Sequence, residues 1–343
     1  MSATKEHLHD QIEAGQRGKL HKISWLNMPG YKPETWNPIV GCSKVSPGCD
    51  NCYAERMAFR IANMQLKNHG KNGYHYTEVS KLTSIGWTGE TRFINEALRK
   101  PLAWREPRMI FVCSMSDLFH ESVPFKWIDE VFIKVAVTHP KHLYIILTKR
   151  PERMVEYFKR PESKIITSFK GKPLQNIWLG VTAENQEQAN KRIPILLQIP
   201  AAKRFVSIEP MLGPVNIAEA CKTSVIAKNF AYGGVQELHW VICGGESGPK
   251  ARPMHPDWVR SVRDQCTSAN VPFFFKQWGE WQASWGAGNH LVNINTGETL
   301  KGNHNDIRAW KIGGWEPVLR VGRKAAGDLL DEKQHHEWPK INL

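Results

Sequence analysis

Leu143-Tyr144-Ile145-Ile146-Leu147 runs straight into Thr148-Lys149-Arg150. Five apolar residues, branched and aromatic, are followed at once by a hydroxyl and two cations. A short run that is apolar on both faces suits a parallel sheet covered by helices. The same order recurs along the chain. Met109 to Cys113 precedes Ser114-Met115-Ser116-Asp117, and Ile177 to Val181 precedes Thr182-Ala183-Glu184-Asn185. Arg204 to Ile208 precedes Glu209-Pro210, Trp240 to Cys243 precedes Gly244-Gly245-Glu246-Ser247, and Val271 to Phe275 precedes Lys276-Gln277. Helical patterns fill the gaps, as at Trp127 to Val137, Gln186 to Leu197 and Pro256 to Ala269. With one further strand ahead of Cys42, the count is about seven βα units.

The predicted fold is therefore α/β: a full or partial (β/α) TIM-like barrel with a C-terminal cap. A doubly wound open sheet is the alternative. Residues 1–30 read as a polar, loosely attached lead-in with one apolar patch, Ile23-Ser24-Trp25-Leu26. The barrel takes residues 31–280. Residues 281–343, with weak periodicity, read as a cap or lid with room for short antiparallel strands. Strand C-termini are the working face of such folds, so the polar residues that follow each strand are the candidate site.

With 41% hydrophobic and 23% charged residues, the 343-residue chain has the composition of a soluble globular protein, not a disordered one. No apolar stretch approaches the length of a membrane span, so no membrane partner is expected. The formal net charge of +13 favours a polyanion such as nucleic acid. Of the fourteen tryptophans, some could stack on bases, but most belong to packing. The chain opens without a basic–apolar–small leader pattern, so a reducing, cytoplasmic setting is expected.

Three of the seven cysteines fall in one window, Cys42, Cys49 and Cys52, spaced C-x6-C-x2-C. The two-residue gap between Cys49 and Cys52 is a metal or redox spacing. Disulfides and buried free thiols are the ordinary alternatives. A structural zinc wants four protein ligands, and here the fourth would have to come from afar, from Cys221 or Cys266. Three thiolates alone suit an iron–sulfur cluster with one open iron. Cys113 and Cys243 sit in apolar runs and read as core thiols. The pattern Ala54, Met57, Ala58, Ile61 and Ala62 puts a helix from Tyr53 to Leu66, so Cys52 opens that helix. S-Adenosylmethionine makes chemical sense at an open iron, because one electron can split its carbon–sulfur bond.

At these residues the chain resembles the radical S-adenosylmethionine enzymes, with three extra residues in the first gap of their C-x3-C-x2-C motif. Asn37 to Cys42, Gly48 to Ala54, and Thr148-Lys149 are similar to the spore photoproduct lyase-like branch. More closely, the chain resembles a phage- and prophage-associated family with the same three-cysteine phrase and no assigned reaction. The shared phrases are Leu147-Thr148-Lys149-Arg150-Pro151, Ser207-Ile208-Glu209-Pro210-Met211, Gly244-Gly245-Glu246-Ser247-Gly248 and Phe273 to Gly279. The resemblance implies a 4Fe–4S cluster on Cys42, Cys49 and Cys52, S-adenosylmethionine as co-substrate, and a reductant protein as electron donor.

In the radical S-adenosylmethionine enzymes a Gly-Gly-Glu element after the second strand holds the ligand's amino group. Here Gly244, Gly245 and Glu246 follow about the sixth strand, so the amino-group role is assigned to Ser116 and Asp117, and Glu246 to ribose or substrate. The glycines also suit a tight turn at positive φ. Lys149 and Glu209 are the candidate catalytic residues, with a structural carboxylate as the plain alternative for Glu209. Lys149, Arg150 and Arg153, with Lys159, Arg160, Lys164, Lys170 and Lys172 beyond, are either a solvated helix face or a phosphate track. His335 and His336 have no second pair at zinc-site spacing. The functional expectation is an iron–sulfur, radical S-adenosylmethionine-like enzyme acting on nucleic acid or a nucleotide. Its competitor is a zinc-stabilised nucleic-acid-binding protein without catalysis.

Overall fold

The computed structural model describes residues 21–69, 75–138, 141–170, 172–222, 237–283, 290–301 and 314–341. The lead-in up to residue 20 and parts of the expected cap lie outside the described residues.

The apolar runs form one seven-stranded sheet: β1 (Lys32–Trp36), β2 (Arg108–Val112), β3 (Leu143–Thr148), β4 (Ile177–Thr182), β5 (Lys203–Ile208), β6 (Trp240–Gly244) and β7 (Phe273–Gln277). Spatial order follows chain order, and every pairing is parallel. A sheet that grows in one direction has no reversal point, which removes the doubly wound alternative. The sheet curls into a half barrel flanked by helices, with β1 and β7 as its edges.

The helices are α1 (Tyr53–Lys67), α2 (Phe125–Val137), α3 (Pro151–Lys159), α4 (Pro161–Thr167), α5 (Gln186–Leu196), α6 (Ile217–Lys222) and α7 (Pro256–Ser268). Local chemistry sets their limits. Prolines open α3, α4 and α7, where the missing N–H has no helical partner to lose. Arg160 is extended because Pro161 follows, and that separates α3 from α4. Asn185 caps α5 by accepting the N–H of Gln188 at 3.0 Å.

Alternation sorts the strand residues into two cores. Trp36, Ile110, Tyr144, Ile146, Leu179, Val206 and Phe275 pack against the helices. Met109, Leu143, Ile145, Trp178, Phe205, Trp240 and Phe274 fill the concave face. Both faces are dry, which explains the near-continuous apolar runs. Gly180 lies beside Phe205, where an added Cβ would sit 2.5 Å from the ring.

The concave face is closed by the ends of the described chain. Trp25 and Leu26, from the turn Ser24–Leu26, are buried there with Trp338 beside them. Trp338 Nε1 donates to the Trp25 carbonyl at 2.8 Å. The expectation of a loose lead-in is thus corrected for Trp25, Leu26 and Met28, which belong to the core. Phe275 N donates to the His335 carbonyl at 2.8 Å and Glu337 N to the Phe273 carbonyl at 3.2 Å, so the tail covers the outer edge of β7. Between barrel and tail, Trp281–Ala283, His290–Asn293, Thr299–Lys301 and Trp315–Arg320 form the expected antiparallel strands. Among the described residues, no helix is long and apolar enough to cross a membrane.

Candidate functional site at the mouth of the half barrel

A cavity of ≈ 210 Å³ opens at the C-terminal ends of the strands. It is lined by Cys42, Cys49, Cys52, Ser116, Asp117, Lys149, Glu209, Gly245 and Glu246. Of the ten residues given a catalytic, ligand-binding or metal role from sequence, only Gly244 stands off its wall. Ile23, Trp25, Phe111 and Leu147 add an apolar side, so the N-terminal turn contributes to the site.

The cysteine loop leaves a two-residue ladder, Ile39–Val40 against Arg92–Phe93. Gly41 then takes φ +95°, where an added Cβ would lie 2.2 Å from the Glu90 carbonyl oxygen. A short turn, Pro47–Cys49, precedes Cys52, and Cys52 is the N-cap of α1 as the periodicity requires. Burial pushes the Cys42 thiol up to about 12, with Asp117 adding to the rise and Arg150 opposing it. Burial also raises Cys52, against the N–H groups of Glu55 and Ala54 and the charge of Lys149. Both shifts favour the neutral thiol over the thiolate.

Among the described residues, no three His, Cys, Asp or Glu side chains converge tightly enough to hold one ion. A single zinc draws its sulfurs to about 2.3 Å from one point. A cluster instead spreads its cysteines over separate irons; the three thiols here line one cavity. Cys221 and Cys266 are buried between sheet and helices, away from the cavity, so neither is the distant fourth ligand. Cys113 does reach the cavity wall, at φ +59°. It is also buried in the core, as expected.

Two of the expected ligand-binding carboxylates are engaged within the protein. Asp117 Oδ1 accepts from Thr148 Oγ1 at 2.7 Å and Phe119 N at 3.0 Å. Its Oδ2 accepts from Lys149 N at 3.1 Å and Arg150 Nη1 at 3.2 Å. Four donors saturate a carboxylate, leaving no lone pair for an amino group. Ser116 Oγ donates to the Ile39 carbonyl at 2.7 Å, so toward a ligand it can only accept. Glu246 Oε2 accepts from Asn51 Nδ2 at 2.9 Å and from Arg252 N and Nε at 2.8 and 2.9 Å. Its Oε1 takes Arg252 Nη2 at 2.6 Å. Glu246 therefore holds the cysteine loop.

Glu209 pairs with Lys276 through Oε1, and its Oε2 has no donor among the described residues. Lys149 lines the cavity with no hydrogen bond or ion pair to its ammonium among the described residues. Glycine at 244 and 245 answers close approach, not the positive φ expected of a turn. A Cβ on Gly245 would meet the Trp278 carbonyl oxygen at 2.0 Å. Beyond Lys149 and Arg150, the basic string turns away from the cavity. Arg153 lies over Phe125 at 4.1 Å, and Arg160 pairs with Asp129 at 3.3 Å.

Sequence reasoning missed the roles of Arg150, Glu184 and Arg252. Arg150 donates to Cys42 Sγ at 3.8 Å, to Ser43 Oγ at 2.8 Å, and through Nε to both Glu121 oxygens at 2.8 Å. Glu184 is fully buried on Arg192, and accepts the N–H of Gly48 at 3.1 Å. Burial opposes its ionisation, but Arg192 and Lys149 prevail and hold the carboxyl below its ordinary range. Arg150 and Glu184 were visible right after their strands; nothing near Arg252 in sequence points to the loop.

A family model described as "Protein of unknown function (DUF5131)" matches residues 21–339. The chain belongs to this family. No curated protein and no solved structure matches it. The DUF5131 match takes in both Trp25 and Trp338, so the segments that close the concave face are part of the family's unit along with the strands.

Proposed function

We propose that this DUF5131 protein is an iron–sulfur enzyme of the radical S-adenosylmethionine type. Cys42, Cys49 and Cys52 would hold a 4Fe–4S cluster whose open iron takes S-adenosylmethionine. The observation that carries the reading is that these three thiols all line one cavity at the strand C-termini of a parallel half barrel. Reductive cleavage of the carbon–sulfur bond is the chemistry such a cluster supplies when bound. Lys149 is the cation for a carboxylate or phosphate of the ligand, and Glu209, through its free oxygen, is the acceptor for an amino group. Ser116 accepts a further donor. The apolar wall of Trp25, Phe111 and Leu147 keeps water from the reacting atoms. A net charge of +13 favours nucleic acid or a nucleotide as substrate, and the electron comes from a reductant protein.

Cys113 on the cavity wall favours one competitor: zinc held by four cysteines in a nucleic-acid-binding protein without catalysis. Iron, sulfide and zinc analysis of anaerobically purified protein and of Cys113→Ser separates the two. Iron and sulfide retained in both samples support the enzyme. One zinc per chain, without iron and lost in Cys113→Ser, supports the competitor.

A further inference from the structure

The cysteine loop is held from three places, each time through a buried carboxylate that carries its own arginine. Beyond β2, Asp117 pairs with Arg150, which reaches Cys42 Sγ and Ser43 Oγ. Beyond β4, Glu184 pairs with Arg192 at 2.8 Å and takes the N–H of Gly48. Beyond β6, Glu246 pairs with Arg252 and takes Asn51, while Arg252 Nη2 donates to the Pro47 carbonyl at 2.8 Å. The three carboxylates are 5%, 0% and 5% exposed. Their contacts alternate with the cysteines along residues 42–52.

Packing alone does not call for this. Burying an ion pair costs several kcal/mol of desolvation, and apolar residues of similar volume often pack as stably. What these pairs add is direction: each fixes one point of a segment that has little regular structure.

We propose that Asp117–Arg150, Glu184–Arg192 and Glu246–Arg252 form a three-point clamp that presets the cysteine loop for ligation before any metal arrives. Arg150 additionally donates to the Cys42 sulfur in the loaded site. The clamp rests on the reading that the three cysteines are ligands; the Arg150 donation rests further on the cluster. All three pairs are positioning residues. A hydrogen bond to a ligand sulfur stabilises the reduced cluster and raises its potential.

The first test needs no metal. Iodoacetamide modification of Cys42, Cys49 and Cys52 is followed by mass spectrometry in the metal-free full chain. Glu246→Gln, Gly48→Ala and, read at Cys49 and Cys52 because it also removes the cation beside the Cys42 thiol, Arg150→Gln should each speed modification about tenfold or more by opening the loop. Gly48→Ala removes no charge but sets a Cβ 3.0 Å from the Glu184 carboxylate, so it carries the test if the charge variants do not fold. Equal rates in wild type and folded variants overturn the clamp, whichever metal the protein takes. The second test titrates the cluster potential after anaerobic reconstitution. Arg150→Gln should keep its iron and shift the midpoint to more negative values. An unchanged midpoint overturns the sulfur donation. A wild type that takes zinc and no iron overturns the proposed function and the Arg150 donation together, while the modification rates still decide the clamp.

Discussion

Arg150 Nη1 lies 3.8 Å from the sulfur of Cys42, across 108 residues of chain. The same nitrogen is 3.2 Å from Asp117 Oδ2. One guanidinium thus ties the first cysteine to the ends of two strands, β2 through Asp117 and β3 through its own backbone. The cysteine loop is built into the mouth of the half barrel, and its chemistry depends on residues that are not its neighbours in sequence.

Five of the seven cysteines should divide sharply in metal binding. Cys42→Ser, Cys49→Ser and Cys52→Ser each remove a cavity thiolate and should lose most of the bound iron and sulfide after reconstitution. Cys221→Ala and Cys266→Ala lie in the packed layer between sheet and helices. They should keep their iron while losing about 1–2 kcal/mol of stability to the cavities created. Elemental analysis together with urea unfolding checks both halves.

Gly245→Ala should destabilise the protein without touching a charge. Its Cβ would meet a backbone carbonyl, that of Trp278, at 2.0 Å, and backbone cannot rotate away as a side chain can. Overpacking of this kind costs about 1–3 kcal/mol or more. A lowered melting temperature in the metal-free protein is expected.

Trp25 is a test of the N-terminal turn as core. It is 3% exposed, meets Phe111 at 5.2 Å and Trp240 at 6.0 Å, and accepts from Trp338 through its carbonyl. Trp25→Ala should cost about 3–5 kcal/mol, measured by urea unfolding. A change under 1 kcal/mol would mean that the turn is loosely held after all.

Stability should fall on mild acidification, and His255 supplies part of the reason. Burial lowers its pKa to about 4, and its Nδ1 caps α7 by accepting the N–H of Asp257 at 3.1 Å. Below the ordinary value of 6.5 the unfolded chain binds a proton that the folded chain refuses. Stability is therefore full above about pH 6.5 and declines toward pH 4, by about 1.4 kcal/mol per pH unit for this group. His239, also lowered to about 4 by burial, acts in the same direction. His255→Asn keeps a capping acceptor without titrating, so its urea midpoint should fall less steeply between pH 6.5 and 4.5 than that of wild type.

The strands were legible because both faces of the sheet are dry, and their order because a barrel-like sheet pairs neighbours in the chain. Strand-end polarity led to Asp117, Lys149, Glu209 and Glu246, all on the cavity wall. Their partners were not legible. Asp117 and Glu246 were assigned to a ligand, but Thr148, Arg150, Asn51 and Arg252 already donate to their oxygens, and only the folded geometry shows those donors. Trp25 was misjudged because its surroundings in sequence are polar, while its apolar partners lie on strands far along the chain. Gly245 carried the right residue type but a different reason, a close carbonyl in place of a positive φ.

The most direct measurement is product analysis of anaerobically reconstituted protein mixed with S-adenosylmethionine and dithionite. Release of 5′-deoxyadenosine by the wild type, and its loss in Cys42→Ser, Cys49→Ser and Cys52→Ser, is the predicted result. A wild type that binds iron and sulfide but releases none, or that retains only zinc, would contradict the account.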